Sequence, residues 1–136
     1  MRVLVDTEIF INVLNNELGA EFSEKFLQKI QNKEIDGLIS TITVAEIFSI
    51  YHRMDEKDTI RAKVYVESII KKDKIIPVFK PIAELGGKIK SKYRLSLGDA
   101  IIIATAMLTN CECLVSLDKE MKKVDLIEIK EPKDLL

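Results

Sequence analysis

The sequence reads LGDAIIIATAML from Leu97 to Leu108, and CLVS follows at residues 113–116. The first segment has the length of a helix and is apolar on almost every side, which is typical of a helix buried at the centre of a domain. The second segment is a short apolar run that predicts a buried strand. A buried helix that leads into a buried strand indicates a parallel sheet covered by helices on both faces.

The rest of the chain repeats this alternation of short strands and helices. Further strands are predicted at residues 2–5, 37–40, within 74–79, and at 126–129. Further helices are predicted from about residue 9 to 14 and over 20–31, 43–53, 59–72 and 82–93, with about one helical turn at 118–122. We therefore expect an α/β fold, a single three-layer α/β/α domain over residues 1–136. Its central, mostly parallel sheet should have about five short strands.

Composition excludes several classes of protein. Of the 136 residues, 47% are apolar and 32% are charged, which is typical of a globular chain rather than a disordered one. The net charge of −1 argues against a protein that binds nucleic acid through its overall charge. An enzyme that binds nucleic acid through a local basic patch is still compatible with this net charge. No apolar run reaches the ~20 residues of a membrane span and no signal peptide is recognisable, so we expect a cytoplasmic protein.

The cysteine and histidine content excludes further kinds of site. Cys111 and Cys113 would point to opposite faces of a strand, so no disulfide between them is expected. His52 is the single histidine, which leaves too few ligands for a zinc site and no partner for a nucleophile.

Four acidic residues fall at one edge of the predicted sheet, the edge at which open parallel sheets bind ligands. Asp6 directly follows the first strand, and Asp118 lies two residues beyond the fourth. Glu46 and Asp99 are each expected in the first turn of a helix that begins at this edge. All four side chains should therefore lie close together.

Each acid, taken singly, has a structural explanation. Thr43-x-x-Glu46 and Ser96-x-x-Asp99 both match the capping box, and Asp6 and Asp118 could be plain helix caps. Taken together, however, two such charges 4 Å apart repel by roughly 4 kcal/mol at an effective dielectric of about 20. A cap contributes only about 1 kcal/mol. A divalent cation would remove the repulsion, and oxygen ligands suit Mg²⁺ or Mn²⁺. Such a site favours phosphodiester hydrolysis over acyl transfer.

The segments that carry these acids resemble a PIN-domain ribonuclease and, by the size of the chain, a VapC-type toxin of a toxin–antitoxin pair. The resemblance covers nearly the whole chain. It rests on LVDT at residues 4–7, TVAEI at 43–47, DAIIIATA at 99–106 and LVSLD at 114–118. The segment DAIIIATA followed by LVSLD is its most specific part.

The resemblance implies a three-layer fold in which four acids form the catalytic metal centre for Mg²⁺ or Mn²⁺: Asp6, Glu46, Asp99 and Asp118. It implies that Thr7 and Ser116 support these acids, Ser116 by hydrogen bonds. It also implies an RNA substrate, a cognate antitoxin protein and a homodimer. Glu8 is a departure, because many members have Asn or Ser there, and it could add a fifth acid to the site.

Basic residues accumulate just before Asp99: Lys88, Lys90, Lys92 and Arg94. They form either a solvated helix face or a rim that contacts RNA phosphates beside the acids. We predict Lys92 and Arg94 as RNA-binding residues. Tyr93 either stacks on a base or packs into the core.

Three other functions are alternatives to a toxin nuclease. A phospho-receiver domain needs an Asp at the end of the third strand, where this chain has Phe79-Lys80-Pro81. A catalytically silent PIN-like binding module would not need all four acids. A stand-alone RNA-processing nuclease remains the alternative to a toxin, although the sequence contains no extra zinc ribbon or RNA-binding domain.

Overall fold

A computed structural model describes residues 1–136, and its centre is a five-stranded parallel sheet. The strands are β1 (Arg2–Val5), β2 (Asp36–Ser40), β3 (Ile75–Ile76), β4 (Cys113–Val115) and β5 (Ile129–Lys130). Their order across the sheet is β3-β2-β1-β4-β5, and every neighbouring pair is parallel. The expected α/β sheet of five short strands is confirmed.

Six helices connect the strands. They are α1 (Thr7–Leu14), α2 (Ala20–Gln31), α3 (Thr41–Tyr51), α4 (Glu56–Ile69), α5 (Lys80–Lys92) and α6 (Leu97–Leu108). The bounds of α2 and α6 agree with the sequence prediction. Helix α4 begins three residues earlier than predicted because the side chain of Asp55 caps it, accepting a hydrogen bond from the Lys57 N–H.

The alternation of side chains along the strands divides the interior into two cores. Val3 and Val5 face the first core, which is built with residues from α1, α2, α3 and α4. Leu4 faces the second core, on the opposite side of the sheet, which is built mainly with α5 and α6. Because strand side chains alternate between faces, the fully apolar β1 buries both of its faces. This arrangement confirms the three-layer architecture.

The C-terminal region differs most from the prediction. The fifth strand was predicted at residues 126–129, but only Ile129 and Lys130 pair with β4. Because β4 has just three residues, it pairs with only a short stretch of chain. Leu126 lies before that stretch and is 39% exposed. The predicted tail instead ends in a 3₁₀ helix, Pro132–Leu135, and Leu135 packs against the first core.

No helix combines the length and the apolar character that crossing a membrane requires. Cys111 and Cys113 are both free thiols, as predicted. His52 is exposed and is the cap residue at the C-terminal end of α3.

Candidate metal centre

Asp6 lies between β1 and α1, and two hydrogen bonds fix its carboxylate. The side chain caps α1, with Oδ1 accepting a bond of 2.8 Å from the Thr7 N–H. Oδ2 accepts a bond of 2.7 Å from the hydroxyl of Ser116, which follows β4. The Asp6 N–H donates to Val115 O in the neighbouring strand, so the residue is still held by the sheet. Asp6 is only 3% exposed.

Asp118 is placed by the same hydroxyl group. Its N–H donates to Ser116 Oγ at 3.0 Å, and its own Oδ1 accepts from the Glu120 N–H at 2.8 Å. The helical turn predicted over 118–122 begins only at Met121, with Glu120 as its cap residue. Asp118 therefore stands ahead of the turn, half-buried, with its carboxylate at the edge of the sheet.

The position of Glu46 corrects one expectation from the sequence. Helix α3 begins at Thr41, because Ser40 caps it by accepting from the Ile42 N–H at 3.0 Å. Glu46 is therefore the sixth helical residue, in the second turn, and Thr43-x-x-Glu46 is not a capping box. Ser40 ends β2 and offers a hydroxyl earlier in the chain than Thr43, so the helix starts sooner.

Glu46 is held instead by threonine hydroxyls. Thr7 Oγ1 donates to Glu46 Oε1 at 2.6 Å and lies 2.9 Å from Thr43 Oγ1. A carboxylate only accepts hydrogen bonds, so the single hydroxyl proton of Thr7 goes to Glu46 and the Thr43 hydroxyl donates to Thr7. Thr7 therefore contacts Glu46 directly, and Thr43, which the resemblance did not single out, contacts Thr7. A TxxE pattern does not by itself distinguish a cap from a buried threonine.

Asp99 occupies the first turn of α6, as predicted. Its N–H donates to the hydroxyl of Ser96, the cap residue of α6, at 3.1 Å. The adjacent Gly98 lies against Glu46: a Cβ atom added to it would be 3.4 Å from Glu46 Oε2. Glu46, in the second turn of α3, therefore lies beside the first turn of α6, which carries Asp99.

The acids act on one another electrostatically. Burial raises the pKa of Asp6 to about 7, and the charges of Asp99 and Glu8 add to the rise. Burial also raises the pKa of Glu8, with Asp118, Asp99 and Glu46 among the charges that contribute. The pKa of Asp99 is raised by burial and by Asp118 and Glu46. Glu8 is therefore a fifth acid in the same electrostatic environment.

None of these five carboxylates forms a salt bridge with a lysine or arginine. Their oxygen atoms are the donors that Mg²⁺ and Mn²⁺ prefer, so the chemistry of the set fits a divalent cation. No three acidic, histidine or cysteine side chains, however, already form a group that could hold a metal ion. The acids share an edge of the sheet but are not prearranged as a chelating cluster.

The predicted RNA-binding residues lie at the end of α5. Lys92 and Arg94 are exposed, as are Lys88 and Lys90, and none of the four forms a salt bridge. Tyr93 packs partly against the second core, and its hydroxyl donates to Asp125. The core interpretation therefore describes the Tyr93 ring better than base stacking does.

Comparison with known proteins gives a consistent result. Ribonuclease VapC2 of Methanocaldococcus jannaschii is 28% identical over 142 residues, which cover 96% of this chain and 93% of the relative. A VapBC2 structure from Rickettsia felis, bound to a DNA fragment from its promoter, superposes with a TM-score of 0.77 at 17% identity. The match covers 96% of this chain and 98% of that one.

A toxin–antitoxin complex from Klebsiella pneumoniae superposes with a TM-score of 0.72 at 25% identity, covering 96% of this chain and 97% of that one. The family model described as the PIN domain matches residues 3–127. That match spans the whole sheet up to β4, both cores and all the acids described above. The chain belongs to the PIN-domain family.

Proposed function

We propose that this chain is a metal-dependent endoribonuclease, the toxin of a toxin–antitoxin pair, and that residues 1–136 act as one nuclease domain. The observation that carries the proposal is the group of acids at one edge of the sheet with no basic partner. The relatives named VapC ribonucleases and the structural neighbours solved as toxin–antitoxin complexes support the activity and the biological role.

Four acids are assigned to the metal and to catalysis: Asp6, Glu46, Asp99 and Asp118. Ribonucleases of this family generally depend on a divalent metal ion, and the oxygen-only donor set favours Mg²⁺ or Mn²⁺. When bound, such an ion offsets the repulsion among the carboxylates and acts as a Lewis acid on the phosphodiester.

Hydroxyl groups of the chain orient two of these acids. Ser116 donates to Asp6, and Thr7 donates to Glu46, so each carboxylate keeps one oxygen in a fixed direction. Hydrogen bonds to the ionised form of a carboxylate oppose the effect of burial on its protonation. The bond from Ser116 thereby lowers the pKa of Asp6, in opposition to burial, without adding a charge to the site.

Substrate binding is assigned to the basic end of α5. Lys92 and Arg94 are close in the chain to Ser96 and Asp99, where α6 begins. Unpaired cations attract the phosphate backbone of RNA and position it without reading its sequence.

The proposed partners of this chain are a cognate antitoxin and a second copy of the chain, and the proposed location is the cytoplasm. Large apolar side chains on α3 and α4 remain exposed, among them Phe48, Ile60 and Val64. Exposed apolar groups of this kind mark interaction surfaces when they are contiguous. Light scattering on the purified chain tests the homodimer.

The enzymatic proposal is tested by RNA cleavage with Mg²⁺ or Mn²⁺ and with EDTA. Asp6→Asn and Asp99→Asn should each reduce the rate by at least about a hundredfold, as is typical for removal of one electrostatic catalytic group. Asp73→Asn is the matched control, because this exposed acid precedes β3 at the opposite edge of the sheet. Full activity of both site variants, or full activity in EDTA, would contradict the proposal.

The toxin role needs a separate test. Expression of the wild-type chain should arrest bacterial growth, whereas Asp6→Asn should not, and co-expression of the neighbouring reading frame should restore growth. RNA cleavage without growth arrest would favour a stand-alone RNA-processing nuclease.

A further inference from the structure

Tyr93 and Asp125 join two loops that are distant from each other in the sequence. The Tyr93 hydroxyl donates to Asp125 Oδ1 at 2.6 Å across 32 residues of chain. The acceptor is an exposed carboxylate, and hydrogen bonds to charged acceptors are stronger than those between neutral groups.

The two loops both lead to proposed site residues. Tyr93 is the cap residue at the C-terminal end of α5 and stands between Lys92 and Arg94. It lies three residues before Ser96, which caps the helix α6 that carries Asp99 in its first turn. Asp125 follows the short helix that comes after Asp118. The hydrogen bond is therefore a direct link between the segment with the RNA-binding cations and the segment after the last acid.

The surroundings of the pair favour a fixed geometry. The Tyr93 N–H donates to Ile89 O, and its ring packs partly against the second core. On the other side, Val124 is buried in that same core immediately before Asp125. The backbones of both loops are therefore anchored at the second core, and the hydrogen bond joins the two loops on the side that faces solvent.

An acidic side chain beside an RNA-binding surface is unfavourable on electrostatic grounds, because it repels phosphate. Asp125 has no salt bridge that would neutralise it. Its one side-chain hydrogen bond is the one from Tyr93. A positional role accounts for an acid at this point, whereas a role in attracting RNA does not.

We propose that Tyr93 and Asp125 are a pair of positioning residues for substrate binding: their hydrogen bond holds Lys92 and Arg94 in the orientation that contacts the RNA backbone. The inference rests on the proposed function, and neither residue touches the reacting atoms. It assigns to Asp125 a favourable effect on RNA binding in spite of its negative charge.

The test measures the Kd of a fluorescein-labelled single-stranded RNA of mixed sequence for the full chain, in EDTA so that no cleavage occurs. Tyr93→Phe keeps the ring and removes the hydroxyl, and Asp125→Ala removes the acceptor. Each should weaken binding about threefold to tenfold, the range expected when one ordering hydrogen bond is lost. Asp125→Asn keeps an acceptor oxygen and should bind at least as tightly as the wild type.

Electrostatics alone predicts a different result for two of these variants. If Asp125 acted only as a charge, Asp125→Ala would bind RNA more tightly and Tyr93→Phe would be unchanged; either result overturns the proposal. Weaker binding by Asp125→Asn than by the wild type would overturn it as well. The double variant Tyr93→Phe/Asp125→Ala should be no weaker than either single variant, because both remove the same bond. With Mn²⁺ present, Tyr93→Phe should raise KM and leave kcat unchanged.

A purely structural role and a failure of the proposed function give different results. Loss of thermal stability with an unchanged Kd, and an unchanged slope of log Kd against log salt, would reduce the pair to a structural contact. Lys92→Glu/Arg94→Glu provides the reference for RNA binding. If that variant binds as the wild type does, the RNA-binding surface itself is wrong; if it binds weakly while Tyr93→Phe binds normally, only the positioning pair is wrong.

Discussion

The hydroxyl of Ser116 donates a hydrogen bond of 2.7 Å to Asp6 Oδ2, although 110 residues separate the two in the sequence. The same oxygen accepts the Asp118 N–H at 3.0 Å. One buried serine therefore links the acid after β1 to the acid after β4. The bond lowers the pKa of Asp6, in opposition to burial, which is the larger effect and raises it to about 7.

Replacing Ser116 should change the protonation of Asp6. Ser116→Ala removes the hydrogen bond that favours the carboxylate, so the pKa of Asp6 should rise further. The acidic limb of the pH–rate profile should then move to higher pH, and an NMR titration of the metal-free protein should show the same direction. Ser116→Thr keeps the hydroxyl and should preserve the wild-type profile. A shift to lower pH in Ser116→Ala would be incompatible with this role.

The raised pKa of Asp6 should make the metal-free protein less stable as the solution approaches neutrality. Between the ordinary carboxyl value of 3.8 and about 7, the folded chain retains a proton that the unfolded chain has released. The free energy of unfolding therefore falls as pH rises through this window, by about 4 kcal/mol for this group. Urea denaturation in EDTA across the same window measures the slope.

Asp6→Asn supplies the control for this pH dependence. The variant cannot ionise at this position, so it should lose most of the slope and exceed the wild type in stability above about pH 7. Glu8 and Asp99, whose pKa values are also raised, should account for the slope that remains. Equal slopes for the variant and the wild type would mean that Asp6 is not the buried ionising group.

Thr7 should be needed for the orientation of Glu46. Thr7→Val keeps the shape of the side chain but removes the donor to Glu46 Oε1, and the buried Thr43 hydroxyl loses its neighbour. We expect kcat to fall about tenfold and the free energy of unfolding to fall by about 1–3 kcal/mol. Thr7→Ser, which keeps the hydroxyl, should retain most of both quantities. Steady-state kinetics and urea denaturation check them, and wild-type values for Thr7→Val would exclude the role.

The cations at the end of α5 should determine the salt dependence of RNA binding. Lys92→Glu/Arg94→Glu should weaken binding and flatten the slope of log Kd against log salt, because fewer counterions are released from the RNA. Lys25→Glu/Lys29→Glu makes the same change of charge on α2 and should affect binding far less. If both pairs changed the slope equally, the effect would belong to net charge and not to this surface.

The site was predictable from the sequence to the extent that local patterns placed its residues. Asp6 after an apolar strand and Ser96-x-x-Asp99 at the start of an apolar helix were placed correctly, since strand ends and helix caps depend on nearby residues. Glu46 was placed in the wrong turn because Ser40 competed with Thr43 as the cap. The end of the chain was misplaced as well, because pairing with β4 overrode the apolar pattern before Ile129.

Apolar periodicity alone determined that this chain forms a parallel sheet between two layers of helices, since each strand and helix must bury its own apolar residues. The tertiary structure alone decided which polar groups meet: Ser116 with Asp6, Thr7 with Glu46, and Tyr93 with Asp125. Such pairs join segments that lie 32 to 110 residues apart. A hydrogen bond requires two atoms within about 3 Å, and no local pattern in the chain specifies a distance of that kind.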